Sequence, residues 1–279
     1  MKASTWLLGT CTSLVLLSGC GGSKETTTVL ATVSSVENSQ IAYRKTYTMT
    51  INGQNLDKGI TVVNPLCLSL TEVAGGSATK RTFTCKIVGV GTGVATITNA
   101  SGGSLYQASL TSSLSAQPQV TMGTSKGNIV IELNPAKAPV TVDNFLNYVE
   151  SGFYPSKIFH RVEANLVVQG GGYTADLQLA PTSAAIKLES SNGLSNTRGT
   201  IGMARTSVAD SATSQFYFNT VDNTAFDYSS TNAGYAVFGK VVAGLDVVDL
   251  IRVVPVSTQG GLSNVPVTPV FITSATQTQ

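Results

Sequence analysis

Histidine is nearly absent from this sequence: His160 is the only one in 279 residues. One imidazole cannot build a His-rich metal centre, and no carboxylates cluster at ligand spacing, so neither a structural nor a catalytic metal is expected, and no cofactor. Charge is scarce too. Asp, Glu, Lys and Arg make up 11% of the chain, with 17 basic against 15 acidic residues, a net of +2. A balance so close to neutral gives no case for nucleic acid or anionic lipid as a partner. After residue 17 no apolar run is long enough to cross a bilayer as a helix. Cysteine is confined to Cys11, Cys20, Cys67 and Cys85.

What the start of the chain does hold is an export pattern. Lys2 is the only charge in Met1–Cys20, and the apolar run Trp6–Leu17 ends in small residues. The run is too short to span a membrane and has the pattern of a cleaved secretory signal. Leu17-Ser18-Gly19-Cys20 resembles a bacterial lipobox, which implies cleavage before Cys20 and lipidation of its thiol. An ordinary signal peptide with an incidental Cys is the alternative. Acyl chains contribute about 0.8 kcal/mol per buried CH₂, so two or more would anchor the protein without a spanning helix. Gly21 in place of Asp after the Cys implies the periplasmic face of the bacterial outer membrane. Residues 1–19 are then the signal and 20–28 a small, polar tether. Two Cys remain in an exported chain, so Cys67 and Cys85 are expected to form one disulfide.

From 29 to 114 the chain is strand-like throughout. Tyr43–Ile51 alternates, Asn52-Gly53 signals a turn, and Gly59–Val63, Leu66–Glu72, Arg81–Val88 and Gly93–Thr98 follow between Gly- and Pro-containing breaks. No stretch has helical periodicity. Short strands with regular turns predict an immunoglobulin-like β-sandwich, serving as a spacer or binding module. A linker is placed at 115–119.

A second domain, 120–279, opens with the hairpin pattern Val120–Thr124 and Asn128–Leu133 around Ser125-Lys126-Gly127. Val142, Phe145, Leu146 and Val149 fall at helical spacing, with Thr141 as a cap and Gly152 as a stop. Short apolar runs Lys157–Val162 and Leu166–Gln169 flank Glu163-Ala164-Asn165 and read as strands around a tight bend. Ile186–Leu188 reads as a short strand. Gly199–Ala204, Ser214–Thr220 and Tyr235–Val242 are further strands; Leu245, Val247, Val248 and Ile251 mark a second helix, and Val267–Thr273 a closing strand. Strands far outnumber helices. A closed antiparallel β-barrel capped by two helices fits this order, giving a mainly β protein.

Five segments occur in a familiar order: Phe159-His160-Arg161, Gln169-Gly170-Gly171, Gly199-Thr200-Ile201-Gly202-Met203-Ala204-Arg205, Ser214-Gln215-Phe216 and Val237-Phe238-Gly239-Lys240-Val241. Together they resemble the cyclophilins, peptidyl-prolyl cis–trans isomerases, and Asn196–Ile201 and Gly234–Gly239 are most similar to the bacterial periplasmic branch. The resemblance covers roughly Val120 to Thr273. It implies a monomer acting on proline-containing polypeptides. It assigns Arg161 the catalytic role, with Gln169 fixing the guanidinium or holding the substrate carbonyl. It gives the proline pocket to Leu166, Val167, Tyr217, Phe226 and Tyr235, and the adjoining groove to Met203, Ala204, Arg205 and Gln215. Several positions depart from the family pattern: Leu166 stands for a usual Phe, Val167 for a usual Met, Tyr217 for a usual Phe, and Ala225 for a Trp or Phe.

Rotation about an Xaa-Pro bond takes roughly tens to hundreds of seconds unaided. No bond breaks, so an enzyme needs only to weaken amide conjugation and hold a twisted geometry. A rigid donor aimed at the prolyl nitrogen does the first, and a planar, always charged guanidinium suits this better than an ammonium. His160 is not needed for the chemistry and is expected to be a packed, hydrogen-bonded structural residue. Two other functions compete: a proline-peptide binding or chaperone module with little turnover, and an envelope-structural or adhesion lipoprotein acting through its first domain.

Overall fold

The computed structural model describes residues 29–279. The export segment, Cys20 and the tether lie outside the described residues. Seven strands come first: β1 (Thr32–Asn38), β2 (Thr46–Gln54), β3 (Ile60–Val63), β4 (Cys67–Glu72), β5 (Lys80–Ile87), β6 (Gly91–Asn99) and β7 (Ser104–Ser112). They form two antiparallel sheets, ordered β1-β2-β5-β4 and β3-β6-β7. Period-two alternation decides which face is buried. Tyr47, Met49 and Ile51 of β2 point inward, as do Phe83, Cys85 and Ile87 of β5 and Ala95 and Ile97 of β6, and these side chains share one apolar core. Cys67 and Cys85 are joined by a disulfide between neighbouring strands, with Cα atoms 5.6 Å apart. Tyr43 does not begin β2. Residues 42–45 turn instead, closed by the Lys45 N–H on the Ala42 carbonyl, with Arg44 at a positive φ of 57°.

The second part contains β8 (Gln119–Thr124), β9 (Gly127–Leu133), α1 (Pro139–Glu150), β10 (Phe159–Val162), β11 (Val167–Gly170), β12 (Thr200–Met203), β13 (Phe216–Asn219), β14 (Val237–Ala243), α2 (Leu245–Arg252), β15 (Val256–Gln259), β16 (Leu262–Pro266) and β17 (Ile272–Gln277). Eight strands make one antiparallel sheet in the order β10-β11-β13-β12-β14-β9-β8-β17. The sheet curls into a half-barrel. The residues just before its two end strands form a single isolated bridge, Ile158 with Phe271, flanked by hydrogen bonds from Phe159 N to Val270 O and from Ile272 N to Lys157 O, both within 2.9 Å, so the expected closed barrel is not formed by the strand ladder itself. Inside the curl Val120, Met122, Ile131, Phe216, Phe218 and Phe238 pack against Val142, Phe145, Leu146 and Val149 of α1 and Val248 and Ile251 of α2. This core is separate from the first.

Three elements differ from what spacing suggests. Helix α1 starts two residues before Thr141, because Pro139 fits its first position. Thr141 is therefore inside the helix, and Glu189 supplies the cap from a distant loop: its carboxylate accepts from the Val140 and Thr141 N–H groups, at 3.1 and 2.8 Å, and from the Thr141 hydroxyl at 2.7 Å. Ile186–Leu188 shrinks to one bridge, Ile186 with Ala212. The last strand runs later than Val267–Thr273, since Pro269 has no N–H to give a ladder. The hairpin β15–β16 turns on Gly260 and Gly261, both at positive φ, and β16 packs on β10.

The two cores are bridged by charge. Arg44 donates Nε to Asp143 at 2.8 Å and Nη2 to Asn147 at 2.7 Å, and pairs with Glu150, all three on α1. Lys86 of β5 reaches Asp143 at 2.6 Å. The Asp143 and Arg44 side chains are 2% and 11% exposed, so their pair is buried, while Lys86 and Glu150 join it from nearer the surface.

Candidate active site

Strand parity alone would turn Arg161 to the same side as Phe159. A bulge prevents this. Phe159 pairs with Gly170 and Arg161 with Gln169, so His160 is an extra residue in β10. A bulge re-aims the side chains that follow it. Phe159 and Val162 both enter the core, while Arg161 points to the opposite face of the sheet. There it begins a row: Arg161 lies across from Gln169, Gln169 from Tyr217, and Tyr217 from Gly202. Directly opposed residues of an antiparallel sheet share a face. Gly202 keeps the row open, because a Cβ there would sit 2.3 Å from Cζ and Oη of Tyr217.

The polar end of the row is wired together. Arg161 Nη1 donates to Gln169 Oε1 at 3.1 Å, and Gln169 Nε2 donates to Gln215 Oε1 at 3.1 Å. The guanidinium side chain is 37% exposed, open enough to meet a peptide. The apolar end is aromatic. Tyr217 and Tyr235 have ring centroids 6.1 Å apart and cross nearly at right angles, and Phe226 stands 6.1 Å from the first and 5.2 Å from the second. The Tyr235 N–H donates to the Phe226 carbonyl at 2.8 Å, which ties those two residues at the backbone. Arg205 lies over the Tyr235 ring at 4.5 Å, held by its own bonds to Gly234 O and Thr206 O. Val167 shares the parity of Gln169 and is buried; Leu166 sits half-exposed in the preceding turn, its carbonyl bonded by Thr220 N and Asn223 Nδ2. Ala204 N donates to Gln215 O at 2.9 Å.

One expected site residue is elsewhere. Met203 is 1% exposed and belongs to the core inside the curl, because it pairs with Phe216 and so takes the face opposite to Gly202 and Tyr217. Ala225 is exposed on the 3₁₀ turn Thr224–Phe226, contributing its carbonyl to Asn232. A residue that spacing did not single out lies under the aromatic group. Asn196 is fully buried; its Oδ1 accepts from the Tyr217 hydroxyl at 2.6 Å, and its Nδ2 donates to Asp227 at 2.9 Å. Burial pushes the Tyr217 phenol well above its ordinary value, so it stays a neutral donor. Burial also opposes ionisation of Asp227, but bonds from Ser195 and Asn196 outweigh it and hold the carboxyl below the usual range. In the sequence Asn196 opens Asn196–Ile201, one of the segments that carry the family resemblance, but nothing there marks its contact with Tyr217.

His160 packs against Tyr173 with ring centroids 4.5 Å apart and the planes tilted by 47°. Burial, and secondly the charge of Arg161, pull its pKa down to about 4, so it is a neutral packing residue at pH 7. The hydrogen bond expected for it is missing at Nδ1, which has no partner among the described residues.

The site is thus a guanidinium held by a glutamine beside a group of three aromatic rings. The family model described as cyclophilin type peptidyl-prolyl cis-trans isomerase/CLD matches residues 119–277. The chain belongs to this family. Among individual proteins, the peptidyl-prolyl cis-trans isomerase of Acinetobacter baylyi is 55% identical over 159 residues, covering 57% of this chain and 85% of that protein. Isomerase A of Dickeya dadantii is 51% identical over 156 residues, covering 56% and 82%. Isomerase B of Escherichia coli is 46% identical over 160 residues, covering 56% and 98%. The protein is thus a cyclophilin-type isomerase. The family match begins at residue 119, at the first residue of β8, so strands β1–β7 lie outside it, with the Arg44 and Lys86 side of the ion cluster, while the partners Asp143, Asn147 and Glu150 on α1 lie inside.

Proposed function

We propose that this cyclophilin catalyses rotation about Xaa-Pro bonds of exported polypeptides with Arg161 donating a hydrogen bond to the prolyl nitrogen. A hydrogen bond there favours the pyramidal nitrogen over the conjugated amide, and conjugation is what makes the barrier. The proline ring rests against Tyr217, Phe226 and Tyr235, with Val167 and Leu166 completing an apolar surround. Gln169 holds the guanidinium plane and Gln215 holds Gln169; Ala204 and Arg205 line the path of the flanking residues. The observation that carries this reading is the row Arg161–Gln169–Tyr217, on one open face beside the aromatic group. Arg161→Ala should lower kcat/KM by roughly 10²–10³, since a preorganised charged donor contributes about 3–4 kcal/mol and each tenfold is about 1.36. Arg161→Lys should recover little, because an ammonium lacks the planar fork. A folded Arg161→Ala protein with the wild-type rate in a protease-coupled peptide assay would defeat the reading.

The site of action follows from the start of the chain. Lipid on Cys20 would hold the isomerase at the periplasmic face of the outer membrane, where newly exported chains pass. What supports it is Leu17-Ser18-Gly19-Cys20 at the end of an apolar run. Labelled fatty acid should enter the wild type and not Cys20→Ala; equal labelling of the two would remove the anchor from the account.

A further inference from the structure

Arg161 has a second partner that the proposed chemistry does not use. Its Nη2 donates to Glu163 Oε1 at 2.6 Å, and the same oxygen accepts from Asn264 Nδ2 at 3.2 Å. Glu163 is fixed at its backbone as well. Its N–H bonds the Val167 carbonyl at 2.9 Å and its carbonyl takes the Leu166 N–H at 3.0 Å, closing the turn between β10 and β11. Arg252 of α2 and Thr220 clamp that turn from outside through the Ala164 carbonyl. Asn264 projects from β16, the strand packed on β10, at a left-handed φ of 60°. A continuous line of bonds therefore runs Asn264, Glu163, Arg161, Gln169, Gln215, across four chain segments.

We infer that Glu163, steadied by Asn264, is a positioning residue for Arg161. This rests on the reading of Arg161 given above. A guanidinium on a flexible stem has to be held in one plane to aim a single N–H, and one anchor leaves it free to swing about that anchor. Gln169 grips Nη1 and Glu163 grips Nη2, which uses two of five N–H donors and leaves three for a substrate. The carboxylate also offsets some positive charge. The pair is about a third exposed, at 37% and 31%, so water screens that offset, while the fixed direction of the N–H groups is not screened. Orientation wins, and the pair serves the rate.

The test is a set of full-length variants assayed for Xaa-Pro isomerisation. Glu163→Ala should lower kcat/KM about tenfold, mostly in kcat, with the melting point nearly unchanged because an exposed pair adds little to stability. Glu163→Gln keeps an acceptor oxygen and should restore most of the loss. Asn264→Ala should act in the same direction by about threefold. On an Arg161→Ala background, Glu163→Ala should do nothing further, which a purely structural role would not produce. A slow Arg161→Ala protein together with a Glu163→Ala protein at or above the wild-type rate would overturn this inference alone. An Arg161→Ala protein at the wild-type rate would overturn the parent reading as well.

Discussion

Arg161 reaches the open face because His160 is one residue too many for its strand. That residue makes its own prediction. An imidazole in the unfolded chain takes its proton near pH 6.5, whereas His160 in the folded chain resists down to about 4. Between those values the unfolded state holds more protons. Stability is therefore unpenalised above pH 6.5 and falls as pH drops through the window, by roughly 3 kcal/mol in total. The His160 ring protons followed by NMR should show no midpoint above pH 5; a midpoint near 6.5 would mean that the ring is solvated. At this scale the motif residues were legible by type and order, since Arg161, Gln169 and Gln215 sit in short sequence runs. Their coupling was not legible. The bulge depends on the register of β10 against β11, and the bonds to Asn196 and Asn264 join positions 21 and 101 residues away from Tyr217 and Glu163. Met203 shows the reverse error: it neighbours site residues in sequence, and period-two alternation turns it into the core.

Elements with a clear period were the readable ones. The alternation of β2 and β5 and the Val142, Phe145, Leu146, Val149 stripe of α1 each bury the face that their spacing dictates. Ends were less readable, because what stops or caps an element can come from far away. Glu189 is the instance. It satisfies two N–H groups at the start of α1 from 48 and 49 residues on, and places a negative charge where the helix dipole favours one. Glu189→Ala should cost about 1–2 kcal/mol in urea unfolding with an unchanged slope, a typical loss for a helix cap. Glu189→Gln should cost less, as an acceptor remains. No change in the midpoint for Glu189→Ala would show that water caps the helix equally well. The hairpin β15–β16 leaves little mark in the sequence, because the strands flanking its Gly260-Gly261 turn are short and carry no apolar alternation.

For the whole molecule, two separate cores are held together through α1. Removing the Arg44 guanidinium leaves Asp143, 2% exposed, with Lys86 and Asn147 as its remaining partners. Arg44→Ala should therefore destabilise by about 1–3 kcal/mol, the cost of a buried charge left short of one donor. Glu150→Ala, which removes an exposed partner, should cost under about 1 kcal/mol. Equal, negligible effects in chemical denaturation would mean that the cluster contributes nothing to joining the two parts. Turnover at Arg161 is best read by exchange spectroscopy on a short Ala-Pro peptide, which reports binding and cis–trans interconversion in one sample. Wild-type protein should speed interconversion. Arg161→Ala should still shift the peptide resonances over the aromatic pocket, with a Kd within about threefold, yet slow the exchange roughly 10²–10³-fold. An Arg161→Ala protein that binds the peptide and exchanges it at the wild-type rate would contradict the account.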